Sequence, residues 1–68
     1  MVMAPDGELW EYARVTDIFY FKRYYQCGEV LDFNVNMIFN FDMIKIKFDD
    51  EKEEWFPTTS VEKAYIKI

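Results

Sequence analysis

The sequence predicts a small, mostly-β domain, and three of its features support that prediction. Hydrophobic residues make up 51% of the 68 positions and aromatic residues 21%, so this short chain has enough apolar surface for a dense core. Aromatic and β-branched residues, which favour strands, alternate with polar residues over long stretches. Turn signals recur about every 8–12 residues, a spacing that is typical of a small barrel or sandwich.

The chain is predicted to consist of a short tail and one domain. Residues 1–8 are expected to form a flexible N-terminal tail, in which Asp6-Gly7 is a turn signal. Residues 9–68 are expected to form a single domain, and its first strand is predicted over residues 9–21. A helix over residues 8–21 is the alternative, because that segment also contains good helix formers.

The middle of the chain predicts two further strands. The second strand is expected from Tyr24 to about Phe33, and Gly28 within it marks a bulge or a close approach of two backbones. Apolar and polar residues alternate from Leu31 to Phe41, with a hairpin connection expected within residues 34–42, where asparagines tolerate turn geometry. The adjacent apolar pair Met43-Ile44 breaks the alternation, so a bulge or turn is expected nearby.

The second half of the chain has the clearest pattern. Ile44 to Phe48 predicts a strand with alternating lysines that face water, and residues 49–53 predict a charged turn. Residues 54–57 predict a short strand that Pro57 ends, because proline cannot donate a hydrogen bond to a neighbouring strand. Residues 58–60 fit a single 3₁₀ turn, and residues 61–68 predict the last strand.

Carboxylates are plentiful, and Mg²⁺ binding by the acidic turn is possible but generic, whereas histidine and cysteine are scarce. The chain has no histidine and a single cysteine, Cys27, so an intrachain disulfide is impossible and a zinc site would lack its usual ligands. The sequence contains no nucleophile triad, phosphate-binding loop or metal motif. We therefore expect a protein that is not an enzyme and that uses no cofactor or metal.

The expected compartment is intracellular. The apolar segment at the start of the chain is too short for a signal peptide, and acidic residues follow it too closely. No apolar run approaches the roughly 20 residues that span a bilayer. The net charge of −5 disfavours nucleic acid, which is bound through lysine and arginine, although aromatic residues flank Lys22-Arg23. The acidic balance favours a cationic peptide or a basic protein surface as the partner.

A resemblance adds detail to this interpretation. The segment from Ile44 to Asp50, the acidic turn, residues 54–57 and Ser60-Val61 together resemble the second half of a Tudor-type domain. Tyr24 to Val30 is similar to the second strand of that family. The resemblance covers roughly residues 15–67. It implies a small five-stranded SH3-like (Tudor-like) barrel with a 3₁₀ turn before the last strand.

The resemblance also implies a binding site at the open end of the barrel. In the family, aromatic side chains there form a cage in which a methylated lysine or arginine is held by cation–π attraction, and an acidic residue completes the cage. The positions carried over are Phe19 or Tyr20, Tyr24 or Tyr25, Phe48 and Asp50. This sequence has Gln26 where the family often has an aromatic residue. Phe48 is also a candidate for the core, because its phase in the strand matches that of Ile44 and Ile46.

Three functions remain open at this point. The first is a non-catalytic module that recognises a short cationic peptide, with methylated lysine or arginine as one form; it would be nuclear if it reads chromatin. The alternative is a small acidic phage- or plasmid-type inhibitor, cytoplasmic, that covers a basic surface of a host protein. A third is an oligomeric structural subunit, and the oligomeric state is open. Trp55 and Phe56 are adjacent and face opposite sides of a strand, so Trp55 is a further interface candidate.

Overall fold

The strands and turns are short and follow one another closely along the chain. The computed structural model describes residues 1–36 and 41–66. It has seven strands, β1 (Val2–Met3), β2 (Leu9–Trp10), β3 (Tyr12–Val15), β4 (Cys27–Asn36), β5 (Phe41–Lys47), β6 (Glu53–Pro57) and β7 (Val61–Ala64), and 3₁₀ turns at Ile18–Tyr20 and Thr58–Ser60. These residues include no α-helix, so the mostly-β prediction is confirmed and the alternative helix over residues 8–21 is wrong.

The larger sheet has five antiparallel strands in the order β6-β5-β4-β3-β7. Strands β3 to β6 follow one another as a meander. The chain then passes through the 3₁₀ turn at Thr58–Ser60, as the sequence predicted, and β7 pairs with β3. The hairpin between β4 and β5 is also confirmed, and the connecting residues 37–40 lie outside the described residues.

Strand β5 supplies the centre of the core. Ile44 and Ile46 are fully buried, while Lys45 and Lys47 lie on the other face, and Lys45 forms an ion pair with Glu53 of β6 at 3.0 Å. This is the alternation that the sequence predicted. The buried cluster around β5 includes Ala13, Val15, Val30, Phe48, Phe56 and Val61.

A bulge in β4 keeps two of its apolar residues on the same side of the sheet. Val30 pairs with Ile46 and Phe33 pairs with Ile44, so the four residues 30–33 of β4 lie opposite three residues of β5. The additional residue, Leu31, lets both Val30 and Phe33 face the core, which a regular strand would not allow. The sequence predicted an irregularity near the start of β5, and the register shift lies in β4 instead.

The N-terminal residues form a β-hairpin where the sequence suggested a tail. Val2 pairs with Trp10, and Val2 also packs against the core. Ala4 is buried and its backbone N–H donates to the carbonyl of Glu8 at 2.7 Å, which closes the turn that Asp6 and Gly7 form. The hairpin orders this segment because it covers apolar surface that the five-stranded sheet leaves open.

Three predicted strand boundaries differ from the structure. The first strand was predicted to reach residue 21, but it ends at Val15, since Asp17 caps a 3₁₀ turn in which its side chain accepts the backbone N–H of Phe19 at 2.9 Å. Strand β4 starts at Cys27 rather than at Tyr24. Strand β7 ends at Ala64, and the predicted continuation to residues 67–68 lies outside the described residues.

Gly28 permits a close approach between β4 and β5. A Cβ atom at this position would lie 2.5 Å from the Cγ2 of Ile46 and 2.6 Å from the carbonyl oxygen of Lys47. Because one of these neighbours is backbone, the strand would have to shift. The close approach that the sequence suggested at Gly28 is confirmed.

We predict that Gly28→Ala lowers the free energy of unfolding by about 1–3 kcal/mol, as overpacking typically does. Urea unfolding followed by tryptophan fluorescence measures this. The adjacent exposed position supplies a control, since Glu29→Ala should change stability by less than about 0.5 kcal/mol. An unchanged midpoint for Gly28→Ala would show that the strand accommodates the methyl group.

Candidate functional site

The loop between β3 and β4, residues 16–26, covers one end of the sheet. Both of its ends are held by backbone hydrogen bonds: the N–H of Tyr25 donates to the carbonyl of Val15 at 2.8 Å, and the N–H of Val15 donates to the carbonyl of Gln26 at 3.0 Å. Tyr25 has a positive φ of 64°, which tightens the return of the chain into β4. The β3–β4 loop is therefore a closed turn with fixed ends.

Arg23 connects this loop to the hairpin of β5 and β6. Its Nε donates to the Oε2 of Glu54 at 2.6 Å, its Nη2 donates to the Oδ2 of Asp50 at 3.0 Å, and its Nη1 donates to the Oε1 of Gln26 at 3.1 Å. The guanidinium carbon lies 4.2 Å from the centre of the Phe48 ring. The edge of the guanidinium thus meets three acceptors while its face meets an aromatic ring, an arrangement that suits its planar fork.

The turn after β5 holds Asp50 in place. The backbone N–H of Lys52 donates to the Oδ1 of Asp50 at 3.1 Å, and the N–H of Phe48 donates to the carbonyl of Lys52 at 3.0 Å. Glu51 takes a positive φ of 68° within this turn. One oxygen of Asp50 is therefore used by its own turn, and the other faces Arg23.

These contacts shift two pKa values. The hydrogen bond from the Lys52 backbone lowers the pKa of Asp50; desolvation opposes this, and the Arg23 guanidinium adds to the lowering, so that the pKa lies below its usual range. Burial lowers the pKa of Arg23, but its hydrogen bonds to Glu54 and Asp50 outweigh burial and raise that pKa above its usual range. Both groups are charged at neutral pH.

Two of the clefts that Arg23 lines are also lined by Asp50. The first, which we call the acidic cleft, has a volume of about 470 Å³ and is lined by Arg23, Tyr25, Gln26, Cys27, Asp49 and Asp50. The second has a volume of about 500 Å³ and contains more basic side chains, being lined by Lys22, Arg23, Gln26, Asp50, Lys52 and Glu54. The acidic cleft is the better place for a cation, because its lining has two carboxylates and one basic side chain, whereas the lining of the second cleft has two carboxylates and three basic side chains.

The structure places two of the predicted site residues in or against the core. Phe48 is only 3% exposed and packs edge-to-face on Phe56 at 5.9 Å, with Arg23 over one face of its ring. Tyr20 also packs edge-to-face on Phe56, at 5.0 Å. Both rings therefore have partners within the chain.

The other predicted aromatic residues are on the surface. The ring centres of Tyr24 and Tyr25 lie 4.6 Å apart, and Tyr25 lines the acidic cleft together with Asp50. Phe19 is 79% exposed, and its ring packs edge-to-face with that of Tyr20 at 5.2 Å between ring centres. Trp55 lies on the outer face of β6, 41% exposed, with the Nζ of Lys45 at 5.8 Å from its ring centre, and it does not line the acidic cleft.

Sequence reasoning missed the role of Arg23. The sequence drew attention to Lys22-Arg23 only through the aromatic residues that flank it, because the partners Glu54 and Asp50 are 31 and 27 residues away. Two features of the sequence could have suggested this role: aromatic residues surround this arginine, and the turn at residues 49–53 is strongly acidic. Gln26, noted as a missing aromatic wall, proves to be one of the acceptors that hold the guanidinium.

The comparisons with known proteins add no family to these observations. No protein-family model, no curated protein and no solved structure matches the chain. Within residues 1–36 and 41–66, no helix is long and apolar enough to cross a membrane.

We predict that Arg23→Ala lowers the free energy of unfolding by about 1–2 kcal/mol, since it removes a cation–π contact and two ion pairs. Arg14→Ala is a matched control, because Arg14 forms one exposed ion pair with Glu62 at 3.2 Å; it should cost less than about 0.5 kcal/mol. Urea unfolding measures both variants. Equal losses would show that the Phe48 contact adds nothing.

The lowered pKa of Asp50 predicts a loss of stability in acid. The carboxyl group of Asp50 binds a proton more weakly in the folded state than in the unfolded state. Its contribution to the free energy of unfolding is therefore fully present above its unfolded pKa of about 3.9, and it is lost as the pH falls through the folded-state pKa. The stability difference between the wild type and Asp50→Asn should therefore be largest near neutral pH and should shrink below about pH 4. Urea unfolding across this pH range measures it, and a difference that is independent of pH would contradict the prediction.

Proposed function

We propose that the five-stranded sheet is an SH3-like barrel of the Tudor type. The strand order supports this, because four strands form a meander and the fifth returns through a 3₁₀ turn to pair with the first strand of the meander. The resemblance of the segment from Ile44 to Val61 to that family supports it independently. The acidic cleft then corresponds to the open end of the barrel.

We propose that the chain is a non-catalytic binding module that takes a cationic side chain of a peptide in the acidic cleft. The observation that carries this proposal is that Tyr25 and Asp50 both line the same open cleft of about 470 Å³. An aromatic ring and a carboxylate attract the same cation, each through a contact worth about 0.5–2 kcal/mol when partly desolvated.

Arg23 limits which rings a ligand can reach. Its guanidinium already lies over the Phe48 ring, so a methylated lysine or arginine in the acidic cleft meets Tyr25 rather than Phe48. A ligand held by fewer rings gains less from losing its hydration on methylation. We therefore propose that charge contributes more than methylation to recognition at this site.

A second candidate function is supported by the turn between β5 and β6. Four acidic residues of this turn and the start of β6 are exposed: Asp49, Asp50, Glu51 and Glu53. Together with the net charge of −5 they suit an acidic protein that covers a basic surface of another protein, as a phage- or plasmid-type inhibitor does. In that case binding would depend on several of these carboxylates and little on Tyr25.

We predict that a short peptide rich in lysine and arginine binds the wild type, and that Asp50→Asn and Tyr25→Ala each weaken binding about tenfold, which is 1.4 kcal/mol. Isothermal titration with unmethylated and methylated forms of one peptide measures this, and the two forms should differ by less than about threefold. Glu62→Gln is the matched control, because it removes the same charge from the Arg14 pair instead.

The outcomes separate the two candidate functions. An effect of Asp50→Asn and Tyr25→Ala without an effect of Glu62→Gln supports the acidic cleft. Equal weakening by Asp50→Asn and by Glu51→Gln, which removes a carboxylate of the same turn that does not line the acidic cleft, supports the acidic inhibitor if Tyr25→Ala and Glu62→Gln have no effect. A wild type that binds no basic peptide would exclude the cleft as the binding site.

A further inference from the structure

The β3–β4 loop exposes three large apolar side chains side by side. Ile18, Phe19 and Phe21 are 74%, 79% and 74% exposed, and we call these three residues the apolar platform. Single exposed apolar residues are common on protein surfaces, but several within one short turn form a patch that usually marks an interaction site. Exposing them costs solubility, and folding does not require it.

Contacts with the core and with the second 3₁₀ turn hold the turn that carries the apolar platform. Tyr20, the residue between its members, packs against Phe56 in the core. Asp17 accepts the backbone N–H of Phe19 at 2.9 Å, and the hydroxyl of Ser60 donates to the other oxygen of Asp17, also at 2.9 Å. The 3₁₀ turn that carries the platform is thus tied to the second 3₁₀ turn.

The other end of the platform is held equally well. The backbone N–H of Arg23 donates to the carbonyl of Tyr20 at 2.8 Å, and the Arg23 side chain is fixed by Glu54 and Asp50. Because the turn is ordered before any partner arrives, binding would not have to overcome the entropy of ordering it. A preorganised display of aromatic side chains has the character of the central residues of protein interfaces.

A small notch lies within the platform and adjoins the acidic cleft. It has a volume of about 200 Å³ and is lined by Phe19, Tyr20, Phe21, Lys22, Arg23 and Glu54. Arg23 borders both the notch and the acidic cleft, so the two are neighbours on one surface. The notch is large enough for one aliphatic side chain.

The surrounding charges indicate the kind of partner. Two basic residues, Lys22 and Arg23, line the notch together with Glu54. Arg23 is paired with Glu54 and Asp50, two carboxylates line the adjoining acidic cleft, and the chain as a whole carries a charge of −5. A second copy of this chain would bring the same negative charge against the platform and would be repelled. A segment with lysine or arginine beside an apolar side chain has the complementary pattern.

We propose that the apolar platform is a docking surface for a basic amphipathic segment of another protein. One large apolar side chain of that segment lies in the notch, and a neighbouring lysine or arginine enters the acidic cleft. The cationic half of this inference rests on the proposed function. The apolar half rests on the platform alone.

The experiment is a selection of binders from a random peptide library displayed on phage, carried out with the wild type and with the double variant Phe19→Ser, Phe21→Ser. We expect the wild type to enrich peptides in which a large apolar residue lies close to a lysine or arginine. The double variant should bind the selected peptides at least about tenfold more weakly, since aromatic residues at the centre of an interface carry much of its binding energy.

Two further variants serve as controls. Tyr65→Ser removes an aromatic side chain that is 82% exposed on another part of the surface, and it should leave the affinity unchanged. Ser60→Ala leaves the platform side chains in place but removes a hydrogen bond that holds Asp17. It should weaken peptide binding while lowering the heteronuclear NOE of residues 18–21, which a purely structural effect on the core would not do. Circular dichroism establishes that each variant is folded.

The results distinguish the two halves of the inference. If the selected peptides bind the double variant and the wild type equally, the platform is not the docking surface. If the same peptides bind Asp50→Asn more weakly than the wild type, the proposed function of the acidic cleft still holds. Apolar peptides without basic residues would overturn the partner chemistry assigned here. Self-association of the wild type that Phe19→Ser, Phe21→Ser abolishes would show that the occupant is a second copy, and failure to enrich any peptide would overturn the inference.

Discussion

The guanidinium of Arg23 joins the loop between β3 and β4 to the hairpin of β5 and β6. Its donors meet Glu54, Asp50 and Gln26 while its face lies on Phe48, so a single side chain closes the end of the sheet. Each ion pair is partly exposed and would be weak alone. Their combination with a ring contact gives one loop conformation an advantage over its alternatives.

The properties of the surface depend on that connection. With the loop held, Phe19 and Phe21 are exposed and Tyr20 is directed into the core, so adjacent residues have different roles. The same arginine separates the acidic cleft from the apolar notch. The acidic cleft and the apolar notch therefore lie side by side, which is the arrangement that the proposed basic amphipathic partner would need.

Most of the strands could be predicted because their patterns are local. The alternation around β5 predicted its buried face, and Pro57 followed by small polar residues predicted the 3₁₀ turn before β7. The loop could not be predicted in this way. Residues 16–26 contain strand-forming aromatic residues, but the chain turns out of the sheet at Asp17. The side chain of Asp17 caps the 3₁₀ turn and is held by a hydrogen bond from Ser60, 43 residues away.

The sequence by itself determined the class of fold, the acidic balance and the aromatic and acidic residues around the turn after β5, where it predicted a binding site. Only the tertiary structure decided which aromatic residues are available to a ligand. Phe48 matches both a core position and a cage wall in its strand phase, and it is the approach of Arg23 from a distant loop that covers its ring. The alternation of a strand fixes the face on which a side chain lies, whereas long-range contacts decide what covers that face.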